Sequence, residues 1–240
     1  MERSYDMRGR YTWMILLMGF GALLLLSDVL TGKTGLWFAV DEAVFRFFND
    51  RLLPGSAFLS VTAYTNLRVF DVVAFMSMGL LYFYYFRRQD AAGKRRMIAI
   101  GVLMLLTAVF IKQLGRFIPI SHPSPTLFFE DANRLTALTD IGTKDAARNS
   151  FPGDHGMMLM IFAAFMARYC GARAFAVASV LVVVFSMPRL MSGAHWFSDV
   201  YAGSLSFVCM LCGALLLTPA SDRLAELLER LVPKRFFPDA

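Results

Sequence analysis

Two short blocks in the C-terminal half of the chain hold side chains that can carry out phosphoryl transfer. The first, residues 150–155, reads SFPGDH and ends in His155; the second holds Arg189, His195 and Asp199. Arginine matches phosphate geometry, and a neutral histidine is a nucleophile. Asp199 follows His195 by one helical turn, so its carboxylate can fix the imidazole tautomer and stabilise the cation that forms. We therefore interpret His195 as the nucleophile and His155 as a general acid or base.

Several neighbouring residues are candidates for holding the phosphoryl oxygens. Gly153 directly precedes a predicted helix, where backbone N–H groups suit an anion. Two basic residues lie near the end of an earlier predicted helix. The expected phosphate-binding residues are Arg189, Lys112, Arg116, Gly153 and Asp154.

Paired histidines could instead ligate a haem or a metal ion. No HExxH spacing is present, and the nearby arginines would repel a cation. We therefore expect neither a metal nor a cofactor.

The composition is that of a membrane protein. Of the 240 residues, 57% are hydrophobic and the mean hydropathy is +0.54, whereas soluble domains are about 45–50% apolar. The net charge of +6 comes from basic residues in the segments between apolar runs, which is the positive-inside pattern and argues against nucleic acid. The three cysteines, Cys170, Cys209 and Cys212, lie in apolar runs and are interpreted as packing residues.

The apolar runs predict an all-α integral membrane protein of one domain with six transmembrane helices. A spanning helix needs about 20 mostly apolar residues. The expected spans are about 11–30, 66–86, 97–118, 156–170, 174–191 and 197–217. Six spans place both termini on one side of the membrane.

Basic residues set the orientation. They concentrate in segments 1–10, 87–96, 168–173 and 223–235, which share one face of the predicted bundle. We expect this face and both termini to be cytoplasmic and the basic loops to contact anionic membrane lipids. The two blocks and Lys112 then meet at the opposite face, which we interpret as the site.

Three further segments carry weaker signals. Segment 35–54 has the apolar spacing of a helix lying in the membrane interface, although an irregular apolar loop is an alternative. Arg68 and Asp71, three residues apart, could pair with each other or contact substrate together with Asn66. The tail at 221–230 resembles a short amphipathic helix.

The blocks resemble the signature of the type 2 phosphatidic acid phosphatase superfamily. Its third motif, Ser-Arg-(five)-His-(three)-Asp, matches Arg189, His195 and Asp199, with Pro188 in place of the serine. Its second motif, Pro-Ser-Gly-His, corresponds here to residues 152–155, PGDH. Its first motif, Lys-(six)-Arg-Pro, matches only Lys112, because the arginine position is Pro119. The candidates to complete this motif are Arg116, His122, Lys144 and Arg148.

A closer resemblance, to the lipid A 1-diphosphate synthase family, covers nearly the whole chain. It is carried by segments 124–126 (SPT), 143–146 (TKDA), 150–158 and 193–197 (GAHWF). The resemblance implies a lipopolysaccharide-biosynthesis phosphotransferase of the bacterial inner membrane, with its active site periplasmic and its termini cytoplasmic. It implies undecaprenyl diphosphate as donor, the 1-phosphate of lipid A as acceptor, and a metal-independent phosphohistidine route.

Two other functions remain open from the sequence. One is an undecaprenyl diphosphate phosphatase, in which water takes the phosphoryl group. The other is a non-catalytic bundle, such as a transporter or a lipid-binding scaffold, although the sequence has no broken helices or internal repeat that would favour it.

Overall fold

The computed structural model describes residues 2–117 and 120–233, and every regular element in this part of the chain is helical. The elements are α1 (Glu2–Thr31), α2 (Leu36–Asn49), α3 (Ala57–Thr65), α4 (Arg68–Arg87), α5 (Ala91–Phe117), α6 (Pro125–Phe128), α7 (Leu135–Leu138), α8 (Asp154–Cys170), α9 (Ala172–Met191), α10 (Asp199–Leu216) and α11 (Ala220–Glu229), with a 3-10 turn at Gly32–Thr34.

Five of the described helices are long and apolar enough to cross a membrane: α1 from Met7, α4, α5, α9 and α10. They expose large apolar side chains, among them Trp13, Phe75 and Phe110, which are 63%, 58% and 60% exposed. Exposed apolar surface of this extent on long helices needs lipid around it. The expectation of an all-α integral membrane protein is confirmed.

The helix α8 accounts for the fourth expected span. At 17 residues it is slightly shorter than a typical span, and nine of its residues are buried. It packs against α5, α9 and α10, so it forms the middle of the bundle rather than its lipid-facing rim. We propose α8 as the sixth crossing.

The helix α5 begins at Ala91, earlier than the expected start at 97. Basic residues extend it beyond the apolar run because they have partners on α11: Arg96 lies 3.5 Å from Asp222, and Arg95 donates to the Glu229 carbonyl. Asp222 also pairs with Arg168 at 2.7 Å. The predicted amphipathic helix at 221–230 is thereby observed as α11, held on the end of the bundle opposite the site.

The helix α10 contains wide π-helical turns at Asp199–Ser204 and Val208–Cys212. Such turns occur often at functional sites. The helix α1 approaches α10 very closely at Gly21, where an added Cβ would lie 2.8 Å from the Ser206 carbonyl oxygen. Small residues therefore let α10 run through the centre of the bundle.

Segment 35–54 contains the helix α2, so the alternative of an irregular loop was wrong, while its position in the membrane interface stays a prediction. Its residues Asp41, Phe45 and Asn49 are buried along one face, and α2 packs against α9. Asn49 exchanges hydrogen bonds of 2.8 and 2.9 Å with the backbone of Asn133. Arg46 donates to Asp131 at 2.7 Å, and this hydrogen bond holds the pKa of the Asp131 carboxyl below its ordinary value. Through these contacts α2 anchors the long loop between α5 and α8 over the site.

Candidate active site

The site lies where four spanning helices end, at the face opposite the basic loops. The N-termini of α4, α8 and α10 and the C-terminus of α9 meet there, and Lys112 comes from the last turns of α5. The turn between α9 and α10 is tight: the Arg189 carbonyl accepts from the N–H groups of both Ala194 and His195. Gly193 makes this turn with a φ of +68°, a conformation that favours glycine. Arg189 and His195 are thus held to each other by the backbone.

The imidazole of His195 is oriented by a backbone carbonyl. Its Nδ1 lies 2.8 Å from the Ser150 carbonyl oxygen and 3.4 Å from Asp199 Oδ2. A carbonyl oxygen only accepts, so Nδ1 carries the proton and Nε2 keeps its lone pair. The sequence predicted Asp199 as the group that fixes this tautomer. The nearer acceptor is Ser150, which residue spacing could not reveal because the contact is made by the backbone of a distant loop.

Asp199 is fully buried and lies between two imidazoles. Its Oδ2 accepts from the Trp196 N–H at 2.9 Å, and its Oδ1 lies 3.4 Å from His122 Nε2. A buried carboxylate is costly unless donors and cations surround it. The position and charge of Asp199 therefore suit it to stabilise positive charge on His195.

His122 belongs to this buried group. Its Nδ1 lies 3.3 Å from Ser150 Oγ, and the backbone pairs at the same place, where Ser150 N–H donates to the His122 carbonyl at 3.0 Å. As a candidate to complete the first motif, His122 was expected at the phosphate. The structure gives it a contact with Asp199 instead.

A second ionic group contains Arg189, which is 7% exposed. Its Nη2 donates to both carboxylate oxygens of Asp71, at 2.8 and 3.1 Å, and its Nη1 lies 3.4 Å from Asn66 Oδ1. His155 Nε2 lies 2.8 Å from the same Asp71 carboxylate. Asp71 thus pairs with Arg189 and His155, whereas its sequence position had suggested either a pair with Arg68 or a substrate contact.

Lys112 and Asp154 form an ion pair of 2.9 Å across α5 and α8. Asp154 thus contacts the lysine that is expected to bind phosphate, and a contact of Asp154 itself with phosphate stays a prediction. The N–H of Gly153 itself donates to the Asp199 carbonyl at 3.1 Å, and an anion site at the N-terminus of the helix that follows stays a prediction. An added Cβ on Gly153 would lie 3.2 Å from Val200, so close packing accounts for this glycine. The side chain of Arg116 lies outside the described part of the structure, and so does the whole of Pro119.

A polar cavity of about 640 Å³ opens beside His155 and Arg189. Its charged side chains are Arg68, Arg134, Lys144 and Arg189 on the basic side and Asp71 and Asp145 on the acidic side. Of the remaining candidates for the first motif, Lys144 lines this cavity, whereas Arg148 is solvent-exposed and does not line it. Among the described residues, no group of three or more His, Cys, Asp and Glu side chains is arranged to hold a metal ion.

Comparison with known proteins agrees with this geometry. Residues 119–223, which contain His122, His155, Arg189, His195 and Asp199, match the model of the PAP2 superfamily. The chain is also 46% identical, over 91% of its length and 93% of the relative's, to lipid A 1-diphosphate synthase of Escherichia coli (strain K12). The chain belongs to the lipid A 1-diphosphate synthase family of the PAP2 superfamily. No solved structure matches it.

Membership in the lipid A 1-diphosphate synthase family identifies the protein as a membrane phosphotransferase. The non-catalytic bundle considered from the sequence is thereby excluded. The family assignment also agrees with the kind of site observed, in which a histidine with one free ring nitrogen adjoins a buried arginine.

Proposed function

We propose that the protein transfers the terminal phosphate of undecaprenyl diphosphate to the 1-phosphate of lipid A. The reaction passes through a phosphohistidine on His195 and yields lipid A 1-diphosphate and undecaprenyl phosphate. The observation that carries this proposal is the 2.8 Å contact of His195 Nδ1 with the Ser150 carbonyl, because it leaves Nε2 as the nucleophile. The name of the E. coli relative supports lipid A as the acceptor.

In the first half-reaction, His195 Nε2 attacks the terminal phosphorus of the donor. The bond from phosphorus to the bridging oxygen breaks, and undecaprenyl phosphate leaves with that electron pair. The charge on the transferred group is spread over its peripheral oxygens. Among the described residues, Arg189 and Lys112 can hold these oxygens in exchange for their present partners Asp71 and Asp154, and Arg116, whose side chain is not described, is a further candidate.

The bond between Nε2 and phosphorus makes the His195 ring cationic. Asp199, 3.4 Å from Nδ1 and shielded from water, stabilises that charge more than an exposed carboxylate would. His122 on the other side of Asp199 keeps the carboxylate in place.

In the second half-reaction, an oxygen of the lipid A 1-phosphate attacks the same phosphorus. The bond to Nε2 breaks, and its electron pair returns to the ring, which restores neutral His195. Both leaving groups are stable without protonation, since one is a phosphate and the other an imidazole. The demand on His155 as an acid is therefore small, and we assign it to placing the acceptor, with Asp71 holding its Nε2 at 2.8 Å.

We place the site at the periplasmic face of the inner membrane and both termini in the cytoplasm. The described basic residues Arg87, Arg88, Arg168, Arg173 and Arg230 lie at the opposite end of the bundle from His195, in loops and helix ends. This distribution follows the positive-inside rule.

The side chains of His155 and Asp71 are 37% and 35% exposed, so water can reach the site and compete with lipid A. Purified enzyme with undecaprenyl diphosphate labelled in its terminal phosphate, with and without lipid A, separates the two reactions. A transferase puts label on lipid A and releases little free phosphate when lipid A is absent. Free phosphate in both conditions, with none on lipid A, would establish an undecaprenyl diphosphate phosphatase instead.

A further inference from the structure

The polar cavity beside the site has two walls of different origin. One wall comes from the helix ends and includes Arg189, assigned to the transferred phosphoryl group, and His155, assigned to placing the acceptor, with their partner Asp71. The other wall, the loop wall, comes from the loop between α5 and α8 and includes Arg134, Thr143 and Lys144; Arg68, at the start of α4, also lines the cavity. The proposed reaction uses none of the residues of this loop wall.

Both carboxylates that line the cavity already have ion-pair or hydrogen-bond partners in the protein. Asp71 is bound by Arg189 and His155. Asp145, only 2% exposed, accepts from Arg134 at 3.0 Å and from the N–H and hydroxyl of Thr136 at 2.9 Å each.

This leaves Arg68 and Lys144 as cavity cations for which the described part of the structure provides no carboxylate partner. Such a concave surface with surplus positive charge concentrates anions. The loop wall also contains polar atoms that lack a hydrogen-bond partner. Thr143 Oγ1 and Arg134 Nε are shielded from solvent and have no hydrogen-bond partner among the described residues. Buried donors without a partner are destabilising, and a phosphate oxygen is a strong acceptor that could satisfy them after a small local shift.

We propose that this loop wall is a second phosphate subsite, which holds the phosphate monoester that is exchanged on phosphorylated His195. The identity of the ligand assigned to this subsite rests on the proposed function. In that reaction the group that leaves, undecaprenyl phosphate, and the group that attacks, the lipid A 1-phosphate, are both lipid phosphate monoesters. Each lies opposite His195 Nε2, because entering and leaving groups are roughly in line. One subsite therefore serves both half-reactions in turn.

The subsite also explains why phosphorylated His195 would pass its phosphoryl group to a lipid phosphate rather than to water. A lipid phosphate held by Arg68, Lys144 and Arg134 is positioned as a nucleophile, whereas water gains nothing from these cations. Removing the cations should therefore affect the exchange of lipid phosphates and spare the attack of water.

The test is the double variant Arg68→Gln/Lys144→Gln; both replaced side chains are exposed, so we expect the fold to be preserved. The control is Arg51→Gln, which removes a surface charge that lies over the Phe47 ring and outside the cavity. Two rates are measured with labelled undecaprenyl diphosphate: the burst of undecaprenyl phosphate without acceptor, and the transfer of label from phosphoenzyme to lipid A. Hydrolysis of the phosphoenzyme by water is the internal reference.

We expect the double variant to slow both the burst and the transfer by about tenfold at subsaturating lipid, with hydrolysis changed less than about twofold. A fall in only one of the two rates, an equal fall in hydrolysis, or no change would overturn the shared subsite. If the wild type itself puts no label on lipid A, the proposed transfer fails, and the burst rate alone then decides whether the subsite exists.

Discussion

Asp71 and Arg189 form a two-contact ion pair, at 2.8 and 3.1 Å, in the place where Arg189 would hold a phosphoryl group. The Asp71 carboxylate presents two oxygens to the guanidinium as a phosphate would. It also holds His155, so a single carboxylate keeps both groups oriented before substrate arrives. In the proposed reaction, substrate phosphate displaces Asp71 from Arg189, so we predict that Asp71 is both a positioning residue and a competitor of phosphate.

Replacing Asp71 by Asn should separate these two roles. We expect kcat to fall about tenfold, because Arg189 and His155 lose their charged partner. We expect inorganic phosphate to inhibit several-fold more strongly, because a neutral amide competes less well for Arg189. Steady-state kinetics with phosphate as inhibitor measures both effects. Asp140→Asn, a change at an exposed carboxylate outside the cavity, is the control, and weaker phosphate inhibition in Asp71→Asn would show that Asp71 does not compete.

The orientation of His195 predicts that substitutions of its two partners, Ser150 and Asp199, lower the activity to different extents. Ser150→Ala keeps the carbonyl that accepts from Nδ1, so activity should fall no more than about threefold. Asp199→Asn removes the buried charge that stabilises cationic His195, and kcat should fall at least about a hundredfold. The ratio of the two effects, measured as phosphate transfer, tests the assignment. Equal losses would mean that the Ser150 hydroxyl is essential in its own right.

His122 is predicted to act through Asp199 rather than on phosphate. His122→Ala should lower kcat about tenfold and leave KM for the donor within about twofold. His122→Gln keeps a donor near Asp199 and should recover part of the loss. An increase in KM without a change in kcat would show instead that His122 binds the donor phosphate.

Asp41 is predicted to matter for stability. It is 2% exposed, and its carboxylate accepts from the N–H and hydroxyl of Ser198, at 2.7 and 2.6 Å, directly before α10. Asp41→Ala leaves these buried donors without that acceptor and should lower the free energy of unfolding by about 2 kcal/mol. Thermal unfolding in detergent measures this, with Asp50→Ala at an exposed position as control. An unchanged midpoint would show that water replaces the carboxylate.

Hydropathy and charge were sufficient to predict the membrane-spanning fold, since apolar runs and basic loops are local signals. The ends of α5 were less predictable, because Arg95 and Arg96 extend the helix only through contacts with α11. The predicted site histidines, Arg189 and Asp199 could be selected from motif spacing, and the structure brings them to the same end of the bundle, while their catalytic roles stay predictions.

The partners of these residues were not predictable in the same way. The Ser150 carbonyl and Asp71 reach His195 and Arg189 from other parts of the chain, and such contacts have no sequence spacing. Gly153 and Asp154 were predicted to bind phosphate from their position in the motif, and that stays a prediction. Their observed contacts, with Val200 and the Asp199 carbonyl for Gly153 and with Lys112 for Asp154, depend on tertiary packing.

In the proposed reaction, His195 carries the phosphoryl group between two lipids. The most direct measurement is to mix the enzyme with terminally labelled undecaprenyl diphosphate, quench in base, where phosphohistidine survives, and locate the label by peptide mass. We predict label on the peptide containing His195, lost when lipid A is added and recovered as lipid A 1-diphosphate. A His195→Gln enzyme that still transfers label to lipid A would contradict the mechanism.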